Sequence, residues 1–409
     1  MRISVGILTR GEPTERREAC AQTWARRLAL CPDVEPVFLV GGAERLWHDR
    51  AASVLHLPCP DDYRALLFKI HHWLRWALEQ GFDGAFKCDD DTFVHADRLV
   101  RFDPDGADYV GVDPLHEDQP VFASGGAGYW LSRRAMEAVV RFGDAHPDLF
   151  SAAFHEGGER PTEDVHLTAC AVRAAGLAFR NDPRFQAWRQ PHRFPTRENG
   201  GITTHYVTPP LMRLLDHYFY PDAATTQEQR RARWRHACSI DGHMYESELA
   251  WLAEQAAGRA CVVELGSWRG RSTAALATAG AVFAIDWWLG SPEMQEDFSD
   301  ARVFAQFQSN LAFEIAAGLV RPLALNLRDP HARAIARRII GRGVDMVFVD
   351  ADHSHAAVLE DIALAQALLR PGGLLCGHDY GQYEGVTRAV NGNFPAVANP
   401  VGSIWVAGT

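Results

Sequence analysis

Three consecutive acids, Asp89, Asp90 and Asp91, lie between Phe86-Lys87-Cys88 and Thr92-Phe93-Val94. Adjacent carboxylates repel one another unless a cation shares their charge, and the apolar flanks read as the end of a buried strand, not a solvated acidic loop. A fold that holds this triplet must therefore neutralise it. Hard oxygen ligands of this kind bind Mg or Mn and leave coordination positions for the phosphates of a substrate. An isolated triplet also suits an acidic surface turn, so the neighbouring sequence has to decide.

The neighbours spell an α/β domain. Ile3-Ser4-Val5-Gly6-Ile7-Leu8 reads as a core strand, a helix is expected from Glu15 to Leu30, and Val37-Phe38-Leu39-Val40 reads as a second buried strand. Strand, helix and strand at this spacing begin a mainly parallel sheet. Leu67, Ile70, Leu74 and Leu78 recur at helical spacing between Arg64 and Gln80, just before the strand that delivers the acids. Ligands of open α/β sheets sit at the carboxyl ends of strands, where the triplet falls. Further on, Ser124-Gly125-Gly126-Ala127-Gly128 offers close backbone approach. Thr162 followed by Glu163 and Asp164 has the look of a helix start with Thr162 as its N-cap.

Taken in order, these pieces resemble the inverting β-1,3-glycosyltransferases that include fringe and the core-1 galactosyltransferases. The resemblance runs from residue 3 to about 219 and is carried by Arg17 through Thr23-Trp24, the Asp62-Tyr63 to Lys69 helix, Lys87 to Val94, Ser124 to Ser132 and Glu163-Asp164-Val165. It implies a GT-A (Rossmann-like) domain over 1–219, a nucleotide-sugar donor, foremost a UDP-sugar, and Mn. By the same resemblance Asp91 is a metal ligand, and Arg17, Lys69, Asp89, Asp90, Gly125 and Gly126 contact the donor. Asp164 is the catalytic base, and a later histidine completes the metal shell. His205 is the first choice for it, His192 the fallback, and a buried structural histidine the alternative. One departure is Ala21, where the family often has a second Arg before the Thr-Trp pair. One displacement at the sugar carbon needs one base for the acceptor hydroxyl and one cation for the leaving diphosphate, and the triplet with a distant Asp supplies both.

Residues 220–239 are polar and charged and read as a linker, with a helix over Gln227 to Arg235. A second core begins near Ile240. Val262-Val263-Glu264-Leu265-Gly266-Ser267-Trp268-Arg269-Gly270-Arg271-Ser272 is a strand, a glycine turn and a helix start, and Asp286 ends the next strand about twenty residues later, where a carboxylate reaches ribose hydroxyls. Val344 to Asp350-Ala351-Asp352-His353 and Pro371-Gly372-Gly373 to His378-Asp379-Tyr380 are two more strands ending in acids and histidines. The span 240–409 resembles a class I S-adenosylmethionine-dependent methyltransferase, most closely the metal-assisted sugar and small-molecule O-methyltransferases of the macrocin and cephalosporin-biosynthesis type. That implies Glu264, Gly266, Ser267, Gly270, Ser272, Asp286 and Asp350 around S-adenosylmethionine, and Mg on Asp350 and Asp379 with His378 as third ligand. His353 is the general base, unless it only packs against or caps the following helix. The resembled family more often has Glu or Asp where this chain has His378.

The 409 residues fit two domains of about 200 residues each. A net charge of −11 argues against a nucleic-acid partner, which needs clustered Lys and Arg. No apolar run approaches the roughly 20 residues of a membrane span, and the eight cysteines form no CxxC pair, so a cytoplasmic protein with reduced thiols is expected. The expected function is bifunctional: transfer of a sugar to an acceptor hydroxyl, then O-methylation of a hydroxyl on that glycan or glycoside, in bacterial polysaccharide or natural-product assembly. The alternative keeps only the methyltransferase active and makes residues 1–219 a non-catalytic sugar-positioning module. A homo-oligomer is possible, since the resembled methyltransferases often self-associate.

Overall fold

The computed structural model describes the chain except residues 117–120, 151–161, 190–193, 195, 197–198, 221–225, 279, 291–301 and 409. The chain divides after Tyr220 into two compact units.

The first unit is built on an eight-stranded mixed sheet. Its strands are Ile3–Leu8 (β1), Val34–Val40 (β2), Trp47–Asp49 (β3), Val54–His56 (β4), Gly84–Asp89 (β5), Tyr129–Ser132 (β8), Tyr109–Gly111 (β7) and Phe179–Asn181 (β9). Their order is β3-β4-β2-β1-β5-β8-β7-β9, and the central β4, β2, β1 and β5 are parallel. Every residue of β1 is buried, as expected of a strand covered on both faces. Pairing Leu8 with Asp89 sets the acids beside the end of β1, so the triplet opens at the carboxyl edge of the sheet. Helix Leu66–Glu79 covers one face through Leu67, Ile70, Trp73, Leu74 and Ala77. Trp73 fits over Gly6, where a Cβ would come within 2.6 Å of its ring, and its indole N–H donates to Ser4 Oγ at 2.9 Å. A small second sheet joins Phe93–Val94 (β6), Phe185–Gln186 (β10) and Thr203–Thr204 (β11). It ties the residues after the acids to those before His205.

The helix expected over Glu15 to Leu30 is two, Glu15–Gln22 and Trp24–Ala29. Thr23 breaks it by leaving helical geometry and turning its hydroxyl onto Ala19 O. Thr162 does not act as a side-chain cap. Glu163–Ala169 is a π-helix, and Thr162 uses its backbone N–H, which donates to His166 Nδ1 at 3.0 Å.

The second unit holds Val262–Leu265 (β12), Val282–Asp286 (β13), Val320–Ala324 (β14), Val344–Val349 (β15), Leu369–Gly377 (β16), Val397–Ala398 (β17) and Trp405–Ala407 (β18). The order is β14-β13-β12-β15-β16-β18-β17, parallel through β16 and antiparallel beyond it. The strand order reverses between β12 and β15, and such a switch point opens a crevice at the carboxyl ends. Residues 220–239 are not a bare linker. They carry helix Thr226–Ser239, whose Ala237 enters the second unit's core beside Leu249, Leu252 and Ala275.

Candidate functional sites

In the first unit the sequence-distant acids and histidine meet. Asp89, Asp91 and His205 each offer one ligand atom, all within 4.8 Å of one another. His205 Nε2 lies 3.1 Å from Asp91 Oδ1 and 3.9 Å from Asp89 Oδ2. The β6–β11 pairing brings them together, and Val207 N–H closes the turn onto Asp91 O at 2.8 Å. Burial pushes the Asp91 carboxyl up, but His205 and Arg16 outweigh it and hold it below the usual range. Two oxygens and an imidazole suit a hard divalent cation, so this donor set fits the Mn expected from the sequence. Asp90 turns away from the cluster, taking a 2.7 Å hydrogen bond from Thr9 Oγ1.

Gly125 and Gly126 explain themselves as close approaches. The Gly125 N–H donates to Asp164 Oδ2 at 2.9 Å, and a Cβ there would lie 2.4 Å from Glu163 Oε1. A Cβ on Gly126 would lie 1.9 Å from His205 Cε1. One turn therefore touches Asp164 with one residue and His205 with the next. Lys69 is buried, with its ammonium 2.6 Å from Asp61 Oδ1 and 2.7 Å from Thr9 O. Asp61 in turn accepts the N–H groups of Gly11 and Gly41, so Lys69 fastens the loops after β1 and β2. Arg17 lies over Phe38 with its guanidinium carbon 5.5 Å from the ring centroid, while its neighbour Arg16 reaches Asp91 at 3.1 Å. His192 lies outside the described residues.

Two residues of the quoted motifs, to which the sequence assigned no site role, bind this site together. Lys87 is 1% exposed and places its ammonium 2.8 Å from Asp89 Oδ1 and 2.7 Å from Glu163 Oε1. Burial disfavours the charge, yet Asp89 and Glu163 hold the ammonium well above its usual range. Glu163 is pushed up to about 7, chiefly by burial and further by Asp164 and Asp89, against the pull of Lys87. The available signal was that β5 reads as a strand buried on both faces, so that Lys87, on the face opposite to Phe86 and Cys88, is inward as well.

In the second unit a cavity of about 940 Å³ opens at the carboxyl ends of β12, β13 and β15. Gly266 and Gly270 have φ of +87° and +89°. A Cβ on Gly266 would meet Asp350 O at 1.9 Å, so only glycine fits the turn. Glu264 fastens that turn from beneath by accepting the hydroxyls of Ser267 at 2.6 Å and of Thr273. Burial pushes its carboxyl up to about 7, although hydrogen bonds from Ser267, Ser272 and Thr273 pull the other way. Asp286 accepts the N–H groups of Ser267 and Trp268, both at 2.8 Å, and of Trp288 at 2.6 Å. Trp268, Trp288 and Asp379 have positive φ and line this cavity, so three of the six described non-glycine residues in that conformation lie at one site. Such strain persists where surrounding structure over-determines it, and it concentrates at functional sites.

Asp350, His378 and Asp379 form the second cluster of ligand atoms within 4.8 Å of one another. His378 Nδ1 lies 3.2 Å from Asp379 Oδ1 and 3.7 Å from Asp350 Oδ1. His353 Nε2 lies 3.0 Å from Asp379 Oδ2, and its ring stacks on Tyr383 with centroids 4.0 Å apart. Ser354, not His353, is the N-cap of helix His355–Leu368. The side chain unforeseen from sequence is Glu248. It is fully buried, its Oε1 is 3.2 Å from His378 Nε2, and it accepts the N–H groups of Tyr245 and Ser403, both at 2.8 Å. Burial pushes His378 down, but Asp350, Asp379 and Glu248 together hold it up at about 11. A carboxylate on one imidazole nitrogen and two on the other form the arrangement that orients a metal-binding histidine, so this donor set also fits a divalent ion. Glu248 takes the N–H of the N-cap Tyr245 three residues before it, but a tyrosine is not a capping-box residue, so the signal left in the sequence is the inward phase of Glu248 beside Leu249 and Leu252.

Among the described residues no helix is long and apolar enough to cross a membrane. The cofactor-bound Rv0187 protein from MTB is similar in structure at 18% identity, over 49% of this chain and 96% of its own, with a TM-score of 0.32. The O-methyltransferase from Bacillus cereus in complex with SAH has 18% identity over 47% and 97%, TM-score 0.31. A SAM-dependent O-methyltransferase from Thermotoga maritima has 13% identity over 45% and 70%, TM-score 0.30. Residues 263–380 match the family model of a methyltransferase domain, which spans β12 to the end of β16 and the Asp350, His353, His378 and Asp379 cluster, so the second unit carries a methyltransferase domain.

Proposed function

We propose that the chain is a bifunctional enzyme in which the first unit transfers a sugar with inversion from a nucleotide sugar, foremost a UDP-sugar, and the second O-methylates a sugar hydroxyl with S-adenosylmethionine. One observation supports both halves: each unit, by itself, gathers two carboxylates and a histidine beside a candidate base.

In the first unit Asp164 is the base. Its carboxylate takes the acceptor hydroxyl proton as the oxygen bonds to the anomeric carbon and the diphosphate leaves with the electron pair. The Gly125 N–H keeps one Asp164 oxygen in place, and Lys87 fixes Asp89 relative to Glu163, the residue before the base. A divalent ion, when held by Asp89, Asp91 and His205, supplies countercharge to the diphosphate. In the second unit Asp286 and the Gly266–Gly270 turn, which Glu264 fastens from beneath, bind and orient the methyl donor. His353, braced by Asp379 and Tyr383, takes the hydroxyl proton while the methyl carbon passes from sulfur to oxygen and the sulfur keeps the bonding pair. Asp350, His378 and Asp379 would hold a divalent ion, which when bound would lower the hydroxyl pKa.

The test measures the full chain with Mn, Mg, S-adenosylmethionine and a panel of UDP- and GDP-sugars. Nucleotide diphosphate release that Asp164→Asn abolishes supports the first half, and S-adenosylhomocysteine release that His353→Ala abolishes supports the second. Methyl transfer with no diphosphate release from any donor refutes the glycosyltransferase half.

A further inference from the structure

Helix Pro330–Ile340 of the second unit buries its small residues and exposes its large ones. Ala332 and Ala336 are buried, while Ile335 and Ile339 are 47 and 51% exposed. A surface helix of a globular domain turns its large apolar side chains toward the core. Residues three and four apart on a helix are neighbours, so the two isoleucines adjoin, and Arg338 and the exposed His331 lie on the same face. Exposed apolar residues are ordinary when scattered singly, whereas an adjoining pair among cations makes an amphipathic surface.

The charge of this stretch is also opposite to that of the chain. Residues 330–343 contain Arg333, Arg337, Arg338 and Arg342 and no Asp or Glu, in a chain of net charge −11. Arg333 is turned inward, donating to Leu327 O at 2.6 Å and to Glu360 Oε2 at 2.7 Å. The other three are exposed and have no acidic partner among the described residues. None of these three, and neither isoleucine, lines the 940 Å³ cavity. The helix ends just before β15 begins, so its cationic end lies toward the amino edge of the sheet, away from the carboxyl ends where the cavity opens.

The chemistry of the face selects its occupant. A second copy docked on it by a two-fold axis would set Arg338 against Arg338. A nucleic acid would pair with the arginines and leave the isoleucines without a counterpart. An anionic bilayer takes both, because its phosphates accept from guanidinium groups and its acyl boundary receives short apolar side chains.

We infer that helix Pro330–Ile340 and Arg342 form a docking surface for an anionic phospholipid bilayer, with Ile335 and Ile339 at the acyl boundary and the arginines on the lipid phosphates. The surface is independent of the two reactions proposed above. The experiment sediments the full chain with extruded vesicles of phosphatidylcholine, alone or with about one third phosphatidylglycerol, at about 0.1 and 1 M salt, and repeats the measurement with a single-stranded RNA homopolymer as competitor. The expected result is binding to the anionic vesicles alone, lost at the higher salt and weakened about tenfold or more by Arg338→Glu/Arg342→Glu. Ile335→Ser/Ile339→Ser, which keeps every cation, should weaken binding severalfold. Both variants should keep the wild-type Kd for S-adenosylmethionine, which reports an intact fold. Absence of binding to anionic vesicles overturns the inference, as does equal binding to neutral ones. Binding that survives the arginine change places the lipid on another surface and overturns the assignment. Unchanged affinity in the isoleucine variant overturns the choice of a bilayer, and so does RNA that displaces the vesicles and itself binds only through Arg338 and Arg342.

Discussion

Lys87→Met tests whether the first unit's site is held by one buried cation. The ammonium is 1% exposed between Asp89 and Glu163, and methionine keeps its length without its charge. Removing one partner of a buried ion pair costs about 3–5 kcal/mol, because the other charge stays uncompensated. Here the stranded group is Glu163, already pushed up to about 7 by burial with Lys87 in place. Without Lys87 it holds a proton to still higher pH. A carboxyl whose folded pKa lies above its unfolded value is most favourable to folding below the unfolded pKa, and that stability is lost as pH rises toward the folded pKa. The penalty of the variant should therefore be smaller at pH 6 and grow by up to about 1.4 kcal/mol per pH unit toward pH 8. For a unit of this size each kcal/mol moves the midpoint by about 2–4 °C, so the first unit's transition should fall by roughly 6–20 °C at pH 8. Scanning calorimetry of the whole chain reads it, with the second unit's transition as internal reference. Lys87→Met/Glu163→Gln, which removes the stranded charge, should recover most of the loss. A single variant that loses less than about 1 kcal/mol at pH 8, or a double variant no better than the single, refutes the reasoning.

Gly126→Ala places a Cβ 1.9 Å from His205 Cε1, so the imidazole must leave the acids. Calorimetric Mn affinity of the first unit's site should fall by at least tenfold, and unchanged affinity would show that His205 is not a ligand. Glu264→Gln removes a buried carboxyl pushed up to about 7, so relative to the wild type it should gain stability on the order of 3 kcal/mol as pH rises from about 5 to 7.5. Denaturant unfolding at the two pH values reads that difference, and a flat one refutes the assignment. Glu248→Gln keeps the volume but weakens the hold on His378, so metal affinity at Asp350 and Asp379 should fall about 10–100-fold. The same change in a His378→Ala background should have little further effect, and an equal loss in both backgrounds would mean that Glu248 acts on the fold and not through His378.

What the sequence made legible follows from the range of the forces involved. The strands Ile3–Leu8, Val262–Leu265 and Val344–Val349 are buried on both faces, so short runs with apolar residues at both phases mark them, each interrupted by a single Ser4, Glu264 or Asp345 beside its glycine or apolar residues. The acids that end or follow Gly84–Asp89, Val282–Asp286 and Val344–Val349 fall at the carboxyl edges of their sheets, and the Gly266 turn is readable because Asp350 O leaves no room for a Cβ. Thr23 was not readable as a break, because its hydroxyl bonds back to Ala19 only in the packed geometry. Residues 226–239 carry the helix expected over Gln227 to Arg235, but its docking was not readable, because Trp234, Ala237 and Cys238 meet the core from among many charges and the segment has the composition of a connector. The positioning residues are harder still. Glu248 meets His378 across 130 positions of sequence and Lys87 meets Glu163 across 76, and no local pattern carries a pairing that tertiary contact creates. Yet both leave a trace of the same kind: a charged side chain at a phase where the element's period points inward. A buried charge is tolerated only when paired, so an inward-phased Lys or Glu beside a cluster of acids and histidines is itself a prediction that a partner from a distant element completes the site. Lys69, inward on its helix and paired with Asp61 at 2.6 Å, obeys the same rule, and its partner is a loop carboxylate eight residues before it. Sequence period thus identifies which charged groups must be buried, and the fold supplies only the identity of the partner.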